Sequence, residues 1–420
     1  MEFIKNHFVT DRKFYKSVIA IALPIALQNV ISFGVNIMDS LMLGQLGDLA
    51  ISGANLGGQP FFLLMMIGFG LSSGGSVLIA QYWGKGDVSS IKKVMGISMR
   101  FVTVASVLFT VICLAFPQQL MHIFSNEPEV VEAATQYMTT LAFSYIFYSI
   151  SNSYLMSLRA VEQVKVSTCI YSISFFVNVF FNYCFIFGKF GAPRLEIRGA
   201  AVGTVLARVT EFILMLLYMN FVEKKVKFRI KDCFKFDTSL MSDYVRHSLP
   251  VVGNELMWGL GMTITNIIIG HIGQVFVAAN SIANVVNQLS GVFVFGVANA
   301  AAVLTGKAIG AGHKKQAQRI ANTLWAMVLA LGCCGCVVLL CIRGPILSLY
   351  AISDEARAAA YGVITVLACV QPSFAIDATS IVGILRGGGD TRTAFAIDCG
   401  GLWLISIPLG LLAGFVLKLP

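Results

Sequence analysis

Charge is scarce in this chain. Charged residues make up 12% of its 420 residues, against 57% for apolar residues, whereas an average soluble domain carries about twice that share of charge. Runs of about twenty or more residues contain no Lys or Arg, which is the length that a helix needs to cross a bilayer. The composition therefore excludes an ordinary soluble protein and predicts an all-α polytopic membrane protein.

Patterns typical of enzymes and of ATP-driven proteins are also missing. No Gly-x-x-x-x-Gly-Lys-Ser/Thr phosphate loop occurs, because Gly306-Lys307 is followed by alanine and Gly84-Lys85 by glycine. The five histidines are scattered, and the ten cysteines form no zinc-type pair of pairs, even where four of them crowd residues 333–341. We therefore expect no enzyme and no cofactor, and we expect an ion gradient to drive any transport.

Eleven apolar spans are predicted, with boundaries good to about 2 to 4 residues. They lie near 17–43, 52–82, 94–116, 131–155, 166–188, 199–221, 245–269, 277–306, 320–341, 357–384 and 393–417. The N-terminus and the alternate loops hold 22 of the 30 basic residues, and cytoplasmic loops carry such an excess. The sequence thus predicts a multi-pass protein of the cell (inner) membrane with a cytoplasmic N-terminus. The net charge of +9 reflects this topology, because no basic soluble domain exists to bind nucleic acid.

The chain contains an internal repeat. A segment from about residue 15 to 87 recurs without a gap from about 244 to 313 at a constant offset of 226, which places Leu23-Pro24 on Leu249-Pro250 and Gly86 on Gly312. Residues 155–165 recur at 382–392 with an offset of 227. Because six spans fit in the first half, both halves enter the membrane in the same sense, as parallel repeats of a transporter do.

The repeat predicts the domain organisation. We expect an N-terminal six-helix lobe at 1–222, a cytoplasmic linker at 223–242 and a C-terminal lobe at 243–420 with five visible helices. Either a sixth helix of the second lobe is missing from this chain or the protein departs from its own symmetry, and we favour a missing helix.

Five separated motifs carry a resemblance to a known family. They are Leu23-Pro24, MDSLMLGQLG (38–47), GLSSGGSVLIAQYWGKGD (70–87), NVFFNYCFIFGKFGAPRLEIRGAAVGT (178–204) and LRGGGDTR (385–392). Together they resemble the multidrug and toxic compound extrusion family, in its prokaryotic type. The resemblance implies twelve helices in two six-helix lobes around a central cavity. It also implies export of organic, often cationic, compounds in exchange for protons or sodium ions.

Asp39 is the strongest candidate for the group that couples transport to an ion. It lies deep in the first span, where an acid costs about 2.5 to 3.5 kcal/mol, so we expect it to face the protein interior or a wet cavity. Burial favours the neutral form of a carboxyl group, which allows such a group to bind and release a proton. The resemblance implies the same role, for a first-helix aspartate in a pattern like Met38-Asp39-Ser40. The alternative is a hydrogen bond that only packs helices.

Three further polar residues are expected near this acid. Asn178 and Asn182 are four residues apart on one face of the fifth span, and Thr204 lies early in the sixth. Their oxygens beside a carboxylate could hold a proton network or a sodium ion. Relatives often carry an acid at the position of Asn182, so the amide here argues against a complete sodium site. As an alternative, these side chains only bond between helices, at about 0.6 kcal/mol each.

A second group of residues is expected to line the substrate cavity. Glu255 enters the seventh span five residues after Pro250, and Asp377 lies two residues beyond the position, here Ala375, where one pattern of relatives places its acid. Aromatic and thioether side chains suit flat organic cations, and the candidates are Met257, Trp258, Phe62 and Met66. The alternatives are interfacial packing for the acids and lipid or core contact for the apolar residues.

Another intramembrane pair is expected to be structural. Arg208 and Glu211 are three residues apart in the sixth span and should neutralise each other.

The sequence thus predicts a secondary antiporter of small organic cations. It is expected to be a monomer in membrane lipid, with H+ or Na+ as the coupling ion, no metal beyond a sodium ion at Asp39 and no nucleic-acid partner. Two alternatives stay open. The first is a lipid-linked saccharide flippase of the same wider superfamily, and the second is a membrane scaffold or sensor that transports nothing.

Overall fold

The computed structural model describes residues 7–235, 237–348, 350 and 353–416, and this part of the chain is helical without a strand. The predicted all-α membrane fold is confirmed. The helices of the first half are α1 Arg12–Gly44, α2 Asp48–Gly57, α3 Gln59–Lys85, α4 Val88–Ala115, α5 Pro117–His122, α6 Pro128–Leu141, α7 Tyr145–Ala160, α8 Val164–Phe187 and α9 Ile197–Leu217. A single 3-10 turn, Ala142–Ser144, joins α6 to α7, and the π-helical segment Tyr218–Val222 extends α9.

The remaining helices begin with one short helix in the linker. They are α10 Ile230–Cys233, α11 Met241–Ile272, α12 Gln274–Gly310, α13 Lys314–Ser348, α14 Asp354–Ala378, α15 Thr391–Gly400 and α16 Ile407–Leu411. The π-helical segment Thr379–Arg386 extends α14, and the segments Gly401–Ser406 and Leu412–Val416 flank α16.

Nine helices of the described residues are long and apolar enough to cross a membrane. They coincide with nine of the predicted spans. The other two predicted spans, 131–155 and 245–269, also lie in helices, the first in α6 and α7 and the second in α11.

Backbone conformation repeats with the sequence. Gly86 and Gly312 end their helices with positive φ angles of 77° and 80°, a region that favours glycine because it has no Cβ atom. Gly47 and Gly273, which are also 226 residues apart, precede α2 and α12 with φ angles of 105° and 153°. The two halves therefore form their loops in the same way, as expected of a duplicated unit.

The chain divides into two compact units. The N-unit contains Leu27–Tyr82 and Gly86–Val252, and the C-unit contains residues up to Ala26, Trp83–Lys85 and residues from Gly253 onward. Of the three changes of unit within a long helix, two fall two residues after a repeat-matched proline, Pro24 in α1 and Pro250 in α11, and the third falls near the end of α3. The predicted lobe boundaries at 222 and 243 stay predictions.

Each unit has its own buried core of aliphatic and small residues. In the N-unit one cluster includes Leu64, Met138 and Tyr145, each fully buried. In the C-unit another includes Ala279, Ala360 and Ile364. Small side chains let helices approach closely where no water drives their association.

Large apolar side chains cover the outside of the helices. On α4, Val104, Leu108 and Val111 are 69%, 55% and 57% exposed and follow one another at helical spacing. Such a stripe is typical of a lipid-facing surface rather than of a water-facing one.

The linker folds on itself where it leaves the first half. The Glu223 carboxylate accepts hydrogen bonds from the backbone N–H groups of Lys225, Val226 and Lys227 at 2.7, 2.8 and 2.5 Å. Three charge-assisted bonds of this kind fix the turn.

Further along, ion pairs hold the linker against α4. Asp232 lies 3.7 Å from Lys92 and 2.7 Å from Lys235, and Asp237 lies 2.7 Å from Lys93. Burial alone would raise the pKa of Asp232, but the hydrogen bonds from Lys235 and from the Arg229 backbone, with the charge of Lys92, hold it below its usual value. The hydrogen bond from Lys93 likewise lowers the pKa of Asp237. The linker belongs to the N-unit.

Candidate functional site

The structure brings together the four residues predicted to couple transport to an ion. Asn182 donates through Nδ2 to Asp39 Oδ1 at 2.5 Å and to Asn178 Oδ1 at 3.3 Å. Asn178 in turn donates through Nδ2 to Thr204 Oγ1 at 3.3 Å. Asn178 and Asn182 are buried, and Asp39 and Thr204 are partly buried. One polar chain therefore connects the carboxylate of α1 to α8 and α9 inside the N-unit.

Two glycines of α9 make room for this chain. A Cβ atom at Gly203 would lie 2.0 Å from Asn182 Oδ1, and one at Gly199 would lie 2.5 Å from the backbone of Phe185. Real Cβ atoms do not approach other atoms so closely, so a Cβ atom at Gly203 would displace the Asn182 side chain, and one at Gly199 would clash with backbone. Their spacing of four residues places both on one face of α9, as in helix pairs that pack through small residues.

A buried ion pair lies farther along the same helix. Arg208 NH1 is 2.8 Å from Glu211 Oε2, and the Glu211 side chain is fully buried. The Arg208 guanidinium also lies 4.9 Å from the ring centre of Tyr148. The predicted pairing of Arg208 with Glu211 is confirmed.

Arg208 also has a relation to Asp39 that the sequence reasoning missed. The two side chains interact electrostatically, and Thr204 lies one helical turn before Arg208 on α9. Tyr137 of α6 interacts with Asp39 as well. Nothing in the sequence distinguishes Tyr137 from a packing tyrosine, because four helices lie between α1 and the helix that carries it.

In the C-unit, Glu255 is not a free carboxylate. Arg386 NH1 lies 2.8 Å from Glu255 Oε1, and the two side chains are 4% and 20% exposed respectively. The equivalent arginine of the first half, Arg159, instead donates to the neutral amide of Gln28 at 2.5 Å. Glu255 therefore serves Arg386 as a counter-ion.

A second carboxylate of the C-unit was missed in the sequence. Asn254 donates through Nδ2 to Asp398 Oδ2 of α15 at 2.7 Å. Asp377 interacts electrostatically with Asp398, and the side chain of Asp377 is exposed. Asp398 stands in the predicted span 393–417, so the criterion that selected Asp39, an acid within an apolar run, could also have found it.

The four apolar candidates for the substrate cavity differ in exposure. Met66 is buried at 7%, whereas Phe62, one turn earlier on α3, is 44% exposed and Trp258 is 45% exposed. Met257 is partly buried, and its carbonyl oxygen accepts a hydrogen bond from Trp403 Nε1 at 3.2 Å. Only Phe62 and Trp258 present a substantial apolar surface.

Among the described residues, no three His, Cys, Asp or Glu side chains come together in a group that could hold a metal ion. The polar chain at Asp39 combines one carboxylate with amide and hydroxyl groups. It can accept a proton or a weakly bound monovalent cation, which is the chemistry that coupling to a gradient requires.

The chain is similar to several known proteins. The family model MatE matches residues 24–184 and 250–412. The probable multidrug resistance protein NorM of Thermotoga maritima is 25% identical over 395 residues, which cover 94% of this chain and 84% of that protein. The multidrug resistance protein MdtK of Yersinia pseudotuberculosis is 24% identical over 405 residues, with coverage of 95% and 87%.

A solved structure has a similar fold. A mutant of the Vibrio cholerae MATE transporter VcmN superposes with a TM-score of 0.87 at 16% identity, over 96% of this chain and 90% of that one.

Proposed function

The chain belongs to the MatE family of multidrug transporters, and we propose that it is a secondary active antiporter, which exports organic cations in exchange for protons or sodium ions. The resemblance stated from the sequence is confirmed by the match over both halves. Members of the family are transporters that need no cofactor, so the expectation of a multi-pass membrane protein without enzymatic activity is confirmed as well.

The hydrogen bond between Asp39 and Asn182 is the observation that carries the proposal. An acid inside a membrane span is costly, and such acids commonly mark ion pathways and proton relays. Here the acid is partly buried and forms no salt bridge within the described part of the chain, where Arg208 is paired with Glu211. Its hydrogen-bond partner is an amide, which can bond to either protonation state of the carboxyl group.

This geometry supports a competition between two ligands. With Asp39 ionised, the N-unit favours the state that holds the organic cation. Binding of a proton or a sodium ion at Asp39, Asn178, Asn182 and Thr204 neutralises the negative charge of Asp39. It thereby favours the state in which the organic cation has been released. Each ligand shifts the population only by its difference in affinity for the two states.

The proposal also covers the oligomeric state of the protein, its membrane and its orientation. The protein acts as a monomer in the inner membrane, with the basic loops and the N-terminus in the cytoplasm. The predicted organisation, an N-terminal lobe of six helices and a C-terminal lobe of which five are visible, belongs to the proposal as well. An anionic lipid-linked pyrophosphate fits less well, because the carboxylates of the C-unit would repel it.

Reconstituted vesicles provide the test. Vesicles loaded with ethidium and containing the chain are exposed separately to a pH gradient and to a sodium gradient, and the loss of ethidium fluorescence is followed. Export driven by one gradient, and abolished when an ionophore collapses it, supports the proposal and identifies the ion. Export that neither gradient accelerates, from vesicles in which the protein is inserted, contradicts the proposal.

A further inference from the structure

A basic cavity lies where the N-terminal segment 8–11 meets the start of α13. Its volume is about 750 Å³, and its lining carries three positive charges, at Lys314, Lys315 and Arg319. The lining contains one carboxylate, Asp11, which accepts a hydrogen bond from a backbone N–H of its own turn at 2.9 Å. All of these residues belong to the C-unit. The charge of the cavity therefore favours an anion.

Hydrogen bonds fix the N-terminal segment as one wall of this cavity. The backbone N–H of Val9 donates to Thr323 Oγ1 of α13 at 2.8 Å. One residue earlier on the same helix, Asn322 Nδ2 donates to the carbonyl oxygen of His7 at 3.2 Å. The segment therefore has a defined position on α13, and the cavity beside it is part of the fold.

The first half shows where anions lie at the equivalent start of a helix, because there the chain supplies them itself. The Asp87 carboxylate, just before α4, accepts hydrogen bonds from the backbone N–H of Ser90 at 3.0 Å and from its Oγ at 2.6 Å. Asp237 of the linker lies 2.7 Å from Lys93 of the same helix. Two carboxylates are thus bound at the start of α4, where the helix N-terminus and the basic side chain both favour negative charge.

The second half replaces the first of these acids and adds positive charge. At the repeat offset of 226 residues, His313 stands at the position of Asp87, and a histidine supplies no carboxylate. Continued at the same offset, the repeat places Arg319 on Lys93. The two residues after Asp87 are valine and serine, whereas the two after His313 are lysines. The start of α13 therefore keeps the features that bind anions in the first half, but an anion from outside the chain must supply the charge.

We propose that this cavity binds the phosphate headgroup of an anionic membrane lipid. Lys314 and Lys315 are the first residues of the candidate span Lys314–Ser348, which places them at the level of lipid headgroups. Leu329, within about 40° of Lys315 around the axis of an ideal helix, is 44% exposed and offers an apolar surface to acyl chains. In the orientation proposed above, the lipid belongs to the cytoplasmic leaflet. This binding goes beyond the export function and does not depend on which compound is exported.

Native mass spectrometry of the purified full chain in a non-ionic detergent tests the inference. Dissociation constants are measured for phosphatidylglycerol and for phosphatidylcholine, and their ratio gives the preference for the anionic lipid. The native chain should prefer phosphatidylglycerol by at least about tenfold, and Lys314→Gln/Lys315→Gln should reduce this preference by at least about fivefold. The matched control is Lys224→Gln/Lys231→Gln, which removes two exposed lysines from the linker and should leave the preference unchanged.

His313→Asp is the sharpest variant, because it restores the acid that the first half carries at Asp87. Its carboxylate should occupy the start of α13, so the preference should fall by at least about fivefold. The melting temperature should not fall, since aspartate is a favourable residue before a helix. His313→Asn offers the same shape without the charge and should retain more of the preference.

Three results would overturn the inference. The first is a preference that stays within twofold of native in both His313→Asp and the double lysine variant. The second is an equal loss in the linker control, which would mean a general attraction of basic residues for anionic lipid. The third concerns a soluble source of phosphate: inorganic phosphate at the concentration of the lipid should not displace phosphatidylglycerol, and displacement would assign the cavity to a soluble anion instead.

Discussion

The side-chain amide of Asn182 lies 2.5 Å from the Asp39 carboxylate, although 143 residues separate the two along the chain. This contact connects the first and fifth helices of the repeat at a point where Gly203 of the sixth helix leaves space for the amide. The position of the amide therefore depends on a residue without a side chain, and that dependence can be tested.

Gly203→Ala should uncouple transport. The added Cβ atom would lie 2.0 Å from Asn182 Oδ1 and 3.0 Å from Asn182 N, so the amide must turn away from Asp39. We expect gradient-driven export of ethidium to fall by at least about tenfold, since small displacements of a positioned group have effects of that order.

Gly68→Ala is the matched control for this variant. Gly68 also lies in a helix of the N-unit, but a Cβ atom there would meet nothing within 4 Å. Export should stay native, and the melting temperature should stay equal or rise slightly, because alanine favours a helix by about 1 kcal/mol over glycine. Similar export by the two alanine variants would show that Gly203 does not position Asn182.

The Arg208–Glu211 pair should matter for stability as a unit. Glu211 is fully buried, so Glu211→Gln leaves the Arg208 charge without its partner and should lower the free energy of unfolding by about 3 kcal/mol. Arg208→Gln should also lower the free energy of unfolding. The double variant should be more stable than the sum of the single effects predicts, as a thermal-unfolding double-mutant cycle would measure.

An exposed pair supplies the comparison for that cycle. Asp354 and Arg357 lie 3.5 Å apart at the surface of α14, with side chains 100% and 47% exposed. Their removal should leave the stability unchanged within the error of the measurement. Additive effects at Arg208 and Glu211 would mean that the two charges do not stabilise each other.

The linker should loosen in acid. The pKa of Asp232 lies below its usual value of 3.8, so its contribution is complete above about pH 4 and is lost as the pH falls through the lower value found in the folded protein. Hydrogen–deuterium exchange of residues 223–235, corrected for the intrinsic rate, should therefore stay constant from pH 8 to 5. At pH 7, Asp232→Asn should accelerate this exchange several-fold, which corresponds to a loss of about 1 kcal/mol in the free energy of local opening. Native-like protection in that variant would contradict the role of Asp232.

Sequence reasoning reached the first-half site because its signals are local. Asp39 is an acid within an apolar run, and Asn178 and Asn182 share a helical face, so each could be recognised from its neighbours. Arg208 and Glu211 were paired for the same reason. The internal repeat predicted that the two halves fold alike, and the matching positive φ angles of Gly86 and Gly312 agree with that prediction.

What sequence reasoning missed depends on contacts between distant segments. Glu255 and Arg386 are 131 residues apart, and no local pattern shows that one neutralises the other. The relation of Tyr137 to Asp39 arises only when α6 folds beside α1. Asp398 is a different case, because its position in an apolar span was visible and only its partner, Asn254, was hidden.

Asp39→Asn, measured in two modes of transport, tests the central claim most directly. In the first mode the vesicles export labelled ethidium against its gradient, driven by the ion identified for the native chain. In the second, labelled and unlabelled ethidium exchange across the membrane with no ion gradient, and the rate in protein-free vesicles is subtracted. If Asp39 couples the ion to the cargo, the variant loses the first mode and keeps the second. Uphill export at the native rate by Asp39→Asn would contradict the account, and so would loss of both modes in a folded variant, which would make Asp39 a cargo-binding group.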